Sequence, residues 1–206
     1  MWRTFGVAVT VFGCGWILMG LEIVGGRMLA PYFGAGIEVW GSVIGIFLAA
    51  LSLGYFLGGL LSQRFSHLFG LAGVVVLAAV SLVPVSLWYA PVSDWLAAFE
   101  LHERWGSLLA AGALFLVPSL LLGMVSPFAV RLVARSVEEA GKHAGMLYAT
   151  STVGSFLGCL VTAFYLIPWM GIRKILFLST ASLLLLAVGL LLVGHATCQC
   201  AAKGEP

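Results

Sequence analysis

Six apolar runs, each long enough to cross a bilayer, leave this chain few ways to fold. They fall at about 5–28, 38–61, 68–92, 106–130, 144–169 and 174–195. Roughly 20 helical residues span a hydrocarbon core about 30 Å thick. No water satisfies the backbone at that depth, so each run closes its own hydrogen bonds as a helix. The composition agrees, with 62% hydrophobic and 9% charged residues, where soluble domains carry about 25% charged. The expectation is an all-α, polytopic membrane protein, with a six-helix transmembrane domain over residues 1–196 and a short tail over 197–206.

This composition also excludes functions. A net charge of +2, dispersed along the chain, gives no nucleic-acid footprint. No stretch of soluble character is long enough for a separate catalytic domain. The motifs H-E-x-x-H, nucleophile elbow, P-loop and Gly-rich dinucleotide turn are absent. His67, His102, His143 and His195 sit at span ends or in connections, so no shared metal site, catalytic group or cofactor is expected. Cys14 and Cys159 fall inside spans, and Cys198-x-Cys200 in the tail is a weak metal or redox pattern. Residues 11–14 loosely resemble a lipoprotein cleavage site, but the apolar run continues beyond them. The first span therefore reads as an uncleaved helix.

The connections carry the topology. The first, 29–37, is turn-like, with Pro31, Gly34 and Gly36. The third, 93–105, places Trp95, Leu96, Phe99 and Trp105 at amphipathic spacing and predicts a short interfacial helix. The fourth, 131–143, is the most charged. Placing the N-terminus in the cytoplasm puts Arg3, Arg64, Arg131, Arg135, Lys142 and Lys203 on that side. Arg27, Arg104, Arg173 and Lys174 then face the other. The positive-inside rule favours this arrangement, with both termini cytoplasmic in a bacterial or archaeal inner membrane. Trp40, Trp88, Trp95, Trp105 and Trp169 then gather at the outer interface. Arg131 and Arg135 read as topology determinants, and Glu38 suits the N-terminus of span two.

An internal repeat is visible. Span two reads GYFLGGL from Gly54, and span five reads GSFLGCL from Gly154, at an offset of 100 residues. Met19-Gly20 and Leu122-Gly123 give spans one and four a weaker match. Three spans repeated once imply two units of opposite topology, as in the six-helix half of the major facilitator fold. Glycines at four-residue spacing (Gly41 and Gly45, Gly54 and Gly58, Gly154 and Gly158) allow close helix approach. Pro84, Pro118 and Pro127 fall inside spans three and four, where each removes a backbone hydrogen bond.

Glu22 is the one carboxylate in the interior of an apolar run. An unpaired ionisable group there costs several kcal/mol, which makes it a functional candidate. Bonding to a hydroxyl or backbone group of another helix is the structural alternative. Gly25 and Gly26 lie one turn on and leave room for a helix or ligand. Arg27 lies about 140° around the helix from Glu22 and is expected to snorkel or reach a neighbouring helix. On span five, Tyr148, Ser151, Thr152 and Ser155 share one face. Facing Glu22 across a cavity, they could coordinate an amine or other small polar solute; interhelical hydrogen bonding is their structural alternative. Trp40 and Tyr55 complete the candidate ligand-binding set.

The series LEIVGGRMLAPYFG, WGSVIG and LSLGYFLGG, followed by GMVSPFAVRL, LYATSTVGSFLGCL and YLIPWMGIRK, covers roughly residues 15–175. In that order it resembles the membrane module of fused major-facilitator/spermidine-synthase-like proteins. The resemblance implies a half-major-facilitator-like bundle that usually precedes a soluble aminopropyltransferase-like domain. Residues for that domain do not follow the sixth span here, so aminopropyl transfer is not expected of this chain. Two functions remain open. One is binding or moving a small polar or cationic, polyamine-like solute, with a homodimer or partner completing the cavity. The other is a non-catalytic scaffold anchoring a separate soluble or membrane partner, such as an aminopropyltransferase-like protein.

Overall fold

The computed structural model describes residues 2–65, 67–99, 102–134 and 137–203, with side chains for all of these except 2, 137–139 and 197–203. The described residues contain helices and no strand. The helices are α1 (Trp2–Phe33), α2 (Ile37–Arg64), α3 (Leu68–Ala97), α4 (Glu103–Val133), α5 (Val137–Val161), α6 (Ile167–Trp169) and α7 (Ile172–Lys203). A π-helical stretch, Thr162–Leu166, joins α5 to α6 as one rod. Six helices are long and apolar enough to cross a membrane: Arg3–Phe33, Ile37–Arg64, Leu68–Ala97, Glu103–Val133, Ala140–Trp169 and Ile172–Ala196. They coincide with the six expected spans, and the chain is an integral membrane protein.

Three expectations at span ends are corrected. α1 does not stop before Pro31; it runs to Phe33 and ends at Gly34, whose φ of +86° turns the chain. Pro31 removes one bond, to the Arg27 carbonyl, close to where carbonyls lose their helical partners anyway. The segment 93–105 is not a separate interfacial helix. Its first half continues α3, because Ser93 and Leu96 bury against the bundle while Trp95 and Phe99 stack edge to face on the exposed side, centroids 4.8 Å apart. The tail is shorter than expected, since α7 continues through Lys203. The side chains of Cys198, Cys200 and Lys203, and all of Arg135, lie outside the described residues.

The bundle has three layers. α1 and α4 form the middle one, and their spans are the most enclosed, each 56% buried. α2 packs chiefly on α4, and α5 chiefly on α1. On the other side α3 and α7 pack on each other, α3 also on α4 and α7 also on α1. α2 and α5 are the most exposed spans, 28% and 17% buried. An apolar helix of this kind is comfortable there only against lipid or another helix.

Close backbone contact fixes the middle layer to its flanks. A β-carbon at Gly54 would collide with the Leu120 carbonyl oxygen, and one at Gly58 would lie 2.7 Å from Met124 Cα. On the other flank, a β-carbon at Gly154 would collide with the Phe12 carbonyl, and one at Gly158 would lie 2.7 Å from Trp16 Cα. Gly123 of α4 faces Leu51, and Gly15 of α1 faces Ser151. Each contact on one flank therefore has a counterpart on the other. Gly41 and Gly45 differ from the expected packing role: a β-carbon at either meets nothing within 4 Å.

The end carrying the 34–36 and 98–102 connections is pinned by polar contacts. Ser42 and Ser107 share a buried hydrogen bond of 2.9 Å, and Arg104 Nε reaches Glu38 Oε1 at 3.0 Å. The Arg104 side chain is 70% exposed, so this pair contributes at most about 1 kcal/mol. Glu38 thus has a second structural role beside its place at the start of α2.

Candidate binding cavity

Where α1, α2, α4 and α5 meet, near the middle of each helix, they enclose a cavity of about 190 Å³. Tyr55 of α2 and Tyr148, Ser151, Thr152 and Ser155 of α5 line it. At about 30 Å³ per water it holds roughly six waters or one small solute. The two tyrosines are about half exposed and flank its opening between α2 and α5.

The glycine contacts explain why the hydroxyls converge. Gly15 has no side chain, so α5 comes close enough for Ser151 and Ser155 Oγ to stand 3.0 and 3.1 Å from the position of its missing β-carbon. Gly123 does the same for α2 and also lines the cavity. Cys14, Met19 and Ser126 also line it and were missed by sequence reasoning. Ser126 had a signal: it lies three residues beyond Gly123, so it shares that residue's face of α4.

The hydroxyls are not equivalent to free water. Thr152 Oγ1 donates to the Tyr148 carbonyl at 2.8 Å, and Ser155 Oγ donates to the Gly15 carbonyl at 3.2 Å. A hydroxyl whose proton is committed presents only lone pairs. Those two positions therefore accept hydrogen bonds from an occupant, and an ammonium with its several donors suits them.

The remaining expected site residues stand elsewhere. Glu22 is not in the lining, but it follows Leu18 and Met19 of the lining by four and three residues, on the same face one turn along. It is half-buried and forms no hydrogen bond or ion pair among the described residues. The space that Gly25 and Gly26 leave is filled by protein. A β-carbon at Gly26 would lie 2.7 Å from the Trp40 ring, and one at Gly25 would lie 3.1 Å from Phe115. Trp40 is therefore a packing residue of the α1–α2 contact. Arg27 is exposed, on the opposite face of α1. Across α1 from the cavity, beside α7, lies a larger and mostly apolar groove of about 430 Å³.

The chain matches no protein-family model, no curated protein and no solved structure.

Proposed function

We propose that this protein binds, and in a complete assembly moves, a small polar or cationic solute at the cavity between α1, α2, α4 and α5. The observation that carries this reading is the pair of committed hydroxyls, Thr152 and Ser155, which offer acceptors beside the phenols of Tyr55 and Tyr148. Glu22, one turn away on the cavity face of α1, supplies the compensating charge. An unpaired carboxylate at this depth is stabilised when a cation or water reaches it.

The bundle is read as two inverted three-helix repeats, half-major-facilitator-like. Supporting this, the paired glycine contacts hold one offset per helix. Leu51 and Ser151, Gly54 and Gly154, and Gly58 and Gly158 differ by 100 residues; their partners Gly15 and Gly123, Phe12 and Leu120, and Trp16 and Met124 differ by 108. This register aligns Gly123 with Gly15 rather than with Gly20. The cavity lies at the meeting of the two repeats, where inverted-repeat transporters hold their solutes. The exposed flanks of α2 and α5 favour a second copy or a partner closing its mouth, with both termini in the cytoplasm. The motifs similar to the membrane module of fused major-facilitator/spermidine-synthase-like proteins fit the same reading.

Calorimetric titration of the detergent-solubilised protein with putrescine tests it. Saturable binding is expected. Tyr148→Phe and Glu22→Gln should each weaken it about ten-fold, about 1.4 kcal/mol, the scale of one hydrogen bond or ion pair to a charged group. Absence of binding by this and longer amines would refute the solute class. Unchanged affinity in Glu22→Gln would remove Glu22 from the site.

A further inference from the structure

The groove on the far side of α1 has a different chemistry from the cavity. It runs between α1 and α7 beside the π-helical stretch and is lined by Val9, Trp16 and Gly20 of α1 and Leu178, Ser182 and Leu185 of α7. Its α7 wall extends from Ile175 to Leu186. That is about 16 Å at 1.5 Å per residue, about half the hydrocarbon thickness and so the depth of one leaflet. The polar groups in it are few. Ser179 spends its proton on the Ile175 carbonyl at 2.9 Å.

Thr162 is unlike the other threonines of the same rod. Thr150 and Thr152 each bond back to the carbonyl four residues earlier. Thr162 opens the π-helical stretch, is 2% exposed and lines the groove; its carbonyl accepts from the Ile167 N–H, but its hydroxyl forms no hydrogen bond among the described residues. Thr162 thus presents an uncommitted hydroxyl to the groove, and π-helical stretches recur at functional sites.

Charge gathers at one mouth of this groove. Gly6 faces Val193 and Gly13 faces Leu186, so α1 and α7 run antiparallel in a common register. Seven residues further, Gly20 and Ser179 both line the groove. Seven more bring Arg27 level with Ile172, beside Lys174. By helical spacing Arg27 shares the face of Gly13, Trp16 and Gly20, and Lys174 shares the face of Leu178 and Leu185. Both cations are exposed, and neither forms an ion pair among the described residues.

We propose that this groove is a binding site for one anionic phospholipid of the surrounding bilayer. One acyl chain occupies the apolar channel. The phosphate lies between Arg27 and Lys174 at the mouth, and the Thr162 hydroxyl donates to an ester carbonyl below it. An anionic lipid fits better than a zwitterionic one, because two cations at the headgroup level repel a choline ammonium and attract a phosphate. This inference does not depend on the cavity reading.

Native mass spectrometry tests it after reconstitution in equal amounts of phosphatidylglycerol and phosphatidylcholine with matched chains. The wild-type protein is expected to retain one lipid, with phosphatidylglycerol preferred at least about ten-fold. Arg27→Gln combined with Lys174→Gln should bring the two lipids to parity, while Lys142→Gln, at the other end of the bundle, should leave the preference intact. Ser182→Phe should lose the retained lipid of either kind, and Leu178→Trp provides the same blockage from the groove's edge. Each variant's melting temperature reports that it is folded. Equal retention of both lipids by the wild type, or a preference that survives loss of both cations, would overturn the proposal.

Discussion

Gly158→Ala is expected to lower the stability of the protein in detergent by about 3 kcal/mol, at the upper end of what overpacking costs. The reason is the identity of the neighbouring atoms. A β-carbon at Gly158 would collide with the Trp16 carbonyl oxygen and lie 2.7 Å from Trp16 Cα. Both are backbone atoms, so no side chain can rotate away, and α5 must move off α1 as a body. Gly58→Ala should cost a similar amount on the other flank, where the Met124 Cα and carbonyl oxygen, each 2.7 Å from the added carbon, stand in the same relation. Gly41→Ala and Gly45→Ala, which meet nothing within 4 Å, should be neutral or stabilising by up to about 1 kcal/mol through helix propensity. Reversible unfolding in mixed detergent micelles reads all four. Matching costs at Gly58 and Gly158 with no cost at Gly41 support two equivalent flanks; a cost at Gly41 equal to that at Gly158 would contradict this packing.

Thr152→Trp is expected to weaken amine binding at least about a hundred-fold, about 2.8 kcal/mol, with little change in stability. Thr152 lines the cavity, yet it is exposed and its hydroxyl bonds only to its own helix, at the Tyr148 carbonyl. An indole there enters a space of about 190 Å³ without breaking a hydrogen bond between helices. Ser155 is a poorer choice, since its hydroxyl bridges to Gly15 on α1 and a large substituent would part the helices. Calorimetry paired with a melting curve separates occlusion from unfolding. Retained affinity in a folded Thr152→Trp protein would move the site elsewhere.

Much of the fold was legible because lipid makes one demand of every span, an apolar stretch of sufficient length. The ends were less legible, since Pro31 and the 93–97 segment carry turn or interfacial signals that local packing overrides. Span-five hydroxyls at offsets of three, four and seven were correctly grouped on one face, and helical geometry alone brings them together. Arg27 stands in the expected ligand set although its 140° separation from Glu22 already places it on a different face of α1. Spacing could not distinguish Gly54–Gly58 from Gly41–Gly45. Four-residue glycine pairs mark a possible contact, and only the position of a second helix decides which pair makes one. Trp40 could not be assigned for the same reason, because its partner, Gly26, becomes a partner only when α1 and α2 pack. The π-helical stretch at Thr162–Leu166 left no mark in the composition.

The most direct test of the solute site is a structure determined in lipid nanodiscs with saturating putrescine. Density for the amine is expected in the cavity between Tyr55 and Tyr148, within hydrogen-bonding distance of Thr152 and Ser155, with Glu22 reaching it directly or through water. A cavity that stays empty, or one filled by an acyl chain with Glu22 turned against a neighbouring helix, would contradict it.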